Sequence, residues 1–168
     1  LLFLNSGDTL CSDSIIEQVE KDLSSNYDIY YGNYNRVSQV SSEKVVFPSI
    51  LSFSFFYSNT LCHQATFIRR KLFYDFFMYN EEYKIASDWE FFVYAICHQN
   101  VSYLYLNKTI CNFDLSGISS TGKLKLISNE EKKKTLEKYF PLFESDYELL
   151  SNLGFKRIQQ IIQIKKTP

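Results

Sequence analysis

The chain opens on four apolar residues, Leu1, Leu2, Phe3 and Leu4, and the run stops at Asn5-Ser6-Gly7-Asp8. A short apolar run bounded by turn residues predicts a strand covered on both faces, as in a mainly parallel sheet. Such a strand needs neighbours before it as well as after it. The expectation is therefore an α/β chain whose N-terminal part precedes these 168 residues. Asn5 to Asp8 form the turn: Gly7 tolerates positive φ, and Asn, Ser and Asp side chains bond their own backbone. Asp8 at the end of a central strand also stands where open α/β sheets place ligands. Taken by itself, the stretch favours a turn leading into a helix.

Composition narrows the class. Hydrophobic residues make up 45% and aromatics 17%, with only 5 Gly and 3 Pro, which argues against disorder. The formal net charge is −1, so the basic footprint of a nucleic-acid binder is missing and no nucleic-acid partner is expected. Cys11, Cys62, Cys97 and Cys111 lie too far apart in sequence for a zinc knuckle or a redox pair, and are expected to be reduced thiols of a cytoplasmic protein. No apolar run approaches the roughly 20 residues that span a bilayer.

Along the chain, strand and helix patterns alternate. "CSDSIIEQVEKDL" reads as a helix with Ser14 and Glu17 as a capping box and Ile15, Ile16, Val19 and Leu23 on one face. "IYYGNYNRV" reads as a strand that Gly32-Asn33 bends or ends. A short strand and a short helix follow around Pro48, then a strand over 65–68 and a short helix over 69–76. "SDWEFFVYAICHQ" is the clearest helix, with Ser87 and Glu90 as a second capping box and Phe91, Phe92, Ala95 and Ile96 as its buried stripe. "VSYLYLNKTICNFDL" holds one or two strands, and "SGISSTG" is a loop. From Lys123 charged residues crowd in, and the pattern predicts helices with a solvated charged face. This divides the chain into a domain over 1–122 and a helical extension over 123–168.

Several residues have chemistry that fits a catalytic site. Asp88 sits in the first turn of a predicted helix, where the macrodipole favours an ionised carboxylate able to serve as a general base. Asp is also a favoured first-turn residue with no catalytic role. Asp8 can hold Mg²⁺ or Mn²⁺ together with substrate phosphates, or simply close its turn. His63 and Gln64 can bond a substrate hydroxyl or phosphate, and Arg70 can contact phosphate. The backbone around Gly117 and Ser119 can clamp a diphosphate. No G-x-S-x-G elbow is present to support a hydrolase.

The order of these pieces adds weight. "FLNSGD", "YGN", "HQATFIRR", "IASDWEF" and "FDLSGIS" follow one another along the chain. This series resembles the C-terminal half of the family 2 glycosyltransferases, which have the GT-A fold, and is most similar to bacterial members that build surface polysaccharides. The resemblance implies the acceptor-side half of a mixed α/β sheet flanked by helices, without the nucleotide-binding half. It implies inverting transfer of a sugar from a nucleotide-diphosphate sugar to a saccharide or lipid-linked saccharide acceptor. By motif, Asp8 would hold the Mg²⁺ or Mn²⁺ on the donor diphosphate. Asp88 would take the proton from the acceptor hydroxyl. His63, Gln64, Arg70, Gly117 and Ser119 would bind substrate. Ser6 and Gly7 stand where many relatives carry acids, leaving metal binding to Asp8 alone, and Asn33 stands where Asp is common. Such pathways place the protein in the cytoplasm, in peripheral contact with the inner face of the plasma membrane. The competing expectation is a non-catalytic, transferase-like module that acts by association.

Overall fold

A computed structural model describes residues 1–115 and 122–152. In chain order its elements are strand β1 (Thr9–Leu10), helix α1 (Ile15–Leu23), strands β2 (Ile29–Val37) and β3 (Ser42–Val45), and helix α2 (Phe53–Ser58). A 3₁₀ turn (His63–Ala65), strand β4 (Thr66–Ile68), helix α3 (Lys71–Asp75), helix α4 (Ser87–Val93) and a π-helical turn (Tyr94–His98) follow. Strand β5 (Tyr103–Asp114) and helices α5 (Gly122–Tyr139) and α6 (Pro141–Asn152) complete the described chain. The fold is α/β, with a mixed open sheet flanked by helices.

The sheet runs β1-β5-β2-β3, and β4 also pairs with β2. Only the β2–β5 pair is parallel; β1–β5, β2–β3 and β2–β4 are antiparallel. The six positions Ile29 to Tyr34 of β2 are all buried. Successive strand residues point to opposite faces, so unbroken burial means that both faces of β2 are covered.

The opening run therefore does not have the role that its apolarity predicts. Leu1 exchanges both backbone hydrogen bonds with Ile68, at 2.7 and 2.8 Å, which is the signature of an antiparallel pair. Residues 1–4 form no regular strand, and Leu1, Phe3 and Leu4 are 53%, 36% and 43% exposed. Hydrophobicity alone does not tell a strand at the margin of a sheet from one at its centre; the neighbours decide.

Gly32 bends β2 without ending it. The β2–β5 register slips around Gly32, between the pairs Tyr31–Tyr105 and Asn33–Thr109. Asn107, at φ 47°, takes up the extra length in β5 as a bulge. The bulge presses β5 onto Gly32: a methyl group built there would lie 2.6 Å from Lys108 O and 2.6 Å from Ile110 Cγ1. A backbone carbonyl cannot rotate away, so the sheet itself would have to move. Gly32→Ala is expected to cost about 2–3 kcal/mol, the upper part of the usual range for overpacking. A urea melt within 0.5 kcal/mol (roughly the scatter of an ordinary surface change) of the unsubstituted protein would refute this.

The helices pack as their periodicity predicts, with local differences. Ile15 and Val19 of α1 are buried, whereas Ile16 is 40% exposed. Phe91 and Phe92 of α4 are buried, as are Ala95 and Ile96 of the π-helical turn. Neither predicted capping box forms. Ser14 makes no side-chain cap and instead accepts from Gln18 Nε2 at 3.0 Å. Ala86, not Ser87, occupies the N-cap position of α4.

The chain divides into two compact units, Leu1–Lys132 and Lys133–Pro168. The first contains the sheet, its helices and the start of α5. The described part of the second holds the rest of α5 and α6, with an exposed Lys133–Glu137 ion pair of 3.8 Å one turn apart. No helix among the described residues is long and apolar enough to cross a membrane.

Candidate active site

Asp8 is delivered by a tight turn. Its N–H donates to Asn5 O at 3.1 Å, and Gly7 has φ +94°. A positive φ at the third turn position requires a type II turn, which favours Gly there. Strand β1 then pairs with the end of β5, Thr9 facing Asn112, so Asp8 reaches the last residue of β5. Asp8 Oδ1 accepts the Asp114 N–H at 2.9 Å. Its Oδ2 accepts Gln64 Nε2 at 2.7 Å. Gln64 is oriented from behind, because its Oε1 accepts the Cys62 thiol at 3.1 Å. The Cys111 thiol is pushed far up by its hydrogen bond with Cys62, by burial, and by the charges of Cys62 and Asp8, so it stays protonated. All four cysteines are free.

Asp88 reaches the same place from the other side. It lies in the first turn of α4, its Oδ1 accepting the Trp89 N–H at 2.7 Å and its Oδ2 lying 3.0 Å from His63 Nδ1. The start of α4 is clamped twice. Buried Trp89 donates its indole N–H to Phe56 O at 2.8 Å and Asn59 O at 3.1 Å. Buried Glu131 accepts the N–H groups of Lys84, Ile85 and Ala86 at 2.7, 3.0 and 2.9 Å. Glu131 thereby satisfies the three successive backbone donors that lead into α4, the last of them on its N-cap residue Ala86.

His63 and Gln64 are consecutive residues of the 3₁₀ turn ahead of β4, with Cα atoms about 3.8 Å apart. One holds Asp88 and the other holds Asp8. Two acids eighty positions apart in sequence are thus tied to a single dipeptide.

Two hydroxyls border Asp88. Tyr79 is wedged among Phe3, Phe73 and Phe91, at ring-centroid distances of 5.6, 5.3 and 5.7 Å. Tyr79 Oη and Ser87 Oγ are buried and lack a hydrogen-bond partner among the described residues. Burial raises the Tyr79 pKa and the Asp88 charge raises it further, so this hydroxyl stays a donor. Lys132 lies 5.0 Å from the Trp89 ring centroid; burial lowers its pKa, and the charge of Asp88 opposes that shift.

Arg70 and Asn33 have other partners. Arg70 is exposed and engaged with Tyr74, at 2.7 and 3.1 Å to its hydroxyl and 5.4 Å to its ring. Gly117 and Ser119 lie outside the described residues. Asn33 is buried, its Oδ1 accepting the Phe47 N–H and the Tyr105 hydroxyl at 3.0 and 2.9 Å, which makes it a structural residue.

Among the described residues, no group of three or more His, Cys, Asp or Glu is placed to hold a metal. Two hard carboxylates do converge at the Asp8 turn. A methyl group built on Gly7 would lie 2.8 Å from Asp114 Oδ2, so the glycine leaves room for a second acid beside Asp8. That donor set fits Mg²⁺ or Mn²⁺ in the mode where one or two carboxylates act with substrate phosphates. Sequence reasoning missed Asp114, Tyr79 and Glu131. Asp114 was visible only as part of "FDLSGIS", and Glu131 sat within a charged run expected to be solvated. Comparison with protein-family models finds no match, and comparison with curated proteins finds none either.

Proposed function

We propose that this chain is the acceptor-side half of an inverting glycosyltransferase of the GT-A type. It would transfer a sugar from a nucleotide-diphosphate sugar to the hydroxyl of a saccharide or lipid-linked saccharide in cell-surface polysaccharide synthesis. The observation that carries this reading is the His63-Gln64 dipeptide, which holds Asp88 with one side chain and Asp8 with the next. An inverting transfer needs two such functions in one place: charge neutralisation at the leaving diphosphate and a base at the attacking hydroxyl.

Asp8 and Asp114 would hold the divalent cation. When bound, the cation supplies positive charge for the diphosphate as it leaves. The side chain of Gln64 and the backbone N–H of Asp114 fix the Asp8 carboxylate before substrate arrives. On the acceptor side, Asp88 and His63 provide the basic function. The cytoplasmic face of the plasma membrane is the expected location, with peripheral contact through the acceptor. The exposed apolar run at Leu1, Phe3 and Leu4 favours the second reading, a non-catalytic module acting by association.

The test is a screen of UDP-, GDP- and dTDP-sugars against saccharide acceptors with Mn²⁺. Turnover with at least one donor is expected, and turnover with none would favour the association module. Asp8→Ala is expected to raise the Mn²⁺ concentration for half-maximal activity by about tenfold, the scale of losing one of two carboxylate ligands. An unchanged Mn²⁺ dependence would remove Asp8 from the metal site.

A further inference from the structure

We infer that His63 Nε2, rather than an oxygen of Asp88, takes the proton from the acceptor hydroxyl, with Asp88 acting behind it as a positioning residue. The inference rests on the transferase reading and refines its acceptor side.

The assignment follows from which atoms are already engaged. Asp88 Oδ2 meets His63 Nδ1 at 3.0 Å, and Asp88 Oδ1 accepts the Trp89 N–H at 2.7 Å. An ionised carboxylate only accepts hydrogen bonds, so the proton between it and the imidazole sits on Nδ1. The neutral ring then carries its lone pair on Nε2. Among the described residues, Nε2 makes no hydrogen bond. The side chains of His63 and Asp88 are 19% and 21% exposed, so the ring is held yet still reachable. A carboxylate that fixes the tautomer and then faces the imidazolium is how Asp–His pairs create a base from an otherwise weak acceptor. The backbone fixes both partners: His63 by its 3₁₀ turn, and Asp88 by the Trp89 and Glu131 clamps on α4.

The step balances without a further reagent. The acceptor oxygen forms its bond to the anomeric carbon while the bond from that carbon to the diphosphate oxygen breaks. The bonding pair leaves with the diphosphate. The acceptor proton moves to Nε2, giving an imidazolium beside the Asp88 carboxylate, and later passes to solvent.

The deciding experiment uses His63→Gln and His63→Ala with whichever donor turns over. Gln can still donate to Asp88 but offers no base. Both variants are expected to lose about 10³-fold in kcat, within the range of general-base catalysis, with donor KM changed less than threefold. Added imidazole should restore part of the H63A rate, and 4-methylimidazole should rescue better than the less basic 4-bromoimidazole. The double variant H63Q/D88N should be no worse than its poorer parent, because the pair acts as a unit. Nitrogen-15 shifts of the resting protein should show the proton on Nδ1. H63Q within fivefold of the unsubstituted rate, or a resting tautomer protonated at Nε2, would overturn the inference. A chain that transfers no sugar to any acceptor overturns the transferase reading, and the inference falls with it. Turnover that ignores His63 overturns the inference alone.

Discussion

Asp88→Asn is expected to lower kcat for sugar transfer by about 10³–10⁴-fold, equivalent to roughly 4–5.5 kcal/mol of lost transition-state stabilisation. Asn is nearly isosteric, so the Trp89 N–H keeps an acceptor and α4 keeps its start. What changes is the atom facing His63. If the carboxamide oxygen remains on the Trp89 N–H, the amide presents its NH₂ where Oδ2 stood, 3.0 Å from Nδ1. The imidazole must then accept at Nδ1 and carry its proton on Nε2, which removes the lone pair from the acceptor side. The negative charge that would face a developing imidazolium is lost as well. On the proposed reading donor binding depends on Asp8 and its partners, so donor KM and the Mn²⁺ response should change little. Steady-state kinetics on the purified variant, with a thermal melt to show that it is folded, decides the matter. Transfer within tenfold of the unsubstituted protein would dismiss Asp88 from any role in the proton transfer, direct or through His63.

The parts of the fold that sequence showed are those set by local pattern. The aromatic run at 29–37, the alternation at 103–114 and the apolar stripes of α1 and α4 each carry their own period, and each forms the expected element. The opening run has the same apolarity as a central strand but pairs by backbone with β4, through Leu1 and Ile68. Covering both faces of a strand takes distant segments, and here they gather on β2 instead. The capping boxes fail for a related reason. Ser-x-x-Glu describes one turn of chain, but the donors before α4 are taken by Glu131, 45 positions beyond Ala86.

The candidate site was legible to the same extent. Asp8, Asp88, His63 and Gln64 each had chemistry visible as residue types, and their order along the chain suggested one site. Sequence offered no sign that adjacent residues of one turn would divide the two acids between them. That division needs β1 against β5 and α4 beside the His63 turn. Asp114 depends on Gly7 lacking a side chain, and Tyr79 depends on a cage of three rings drawn from three segments. Arg70 has a partner that its charge alone does not indicate: Tyr74, one turn later, whose hydroxyl accepts from the guanidinium.

Glu131→Ala carries the largest expected loss of stability. Its two carboxylate oxygens accept three successive backbone N–H groups at 2.7 to 3.0 Å. Hydrogen bonds to a charged partner contribute about 1.5–3 kcal/mol each, less where water can replace the partner. Lys84 is exposed and Ile85 half-buried, so water can serve two of the donors; Ala86 is buried, and its N–H would be stranded. The net cost should be about 3 kcal/mol, a fall in Tm of roughly 6–12 °C for a chain of this size. Glu131→Gln should cost about half as much if its oxygen takes the place of Oε2 and keeps the Ile85 and Ala86 bonds. Amide exchange at 84–86 should accelerate in both variants, while exchange in β2 falls only with global stability. Since the same clamp sets the start of α4, E131A should also lose transfer rate through Asp88 and His63, even at temperatures where the protein is folded; misplacement by about 1 Å costs on the order of 10²-fold. A melting temperature unchanged within 2 °C would show that α4 holds its start without Glu131, leaving Trp89 as the anchor of the site.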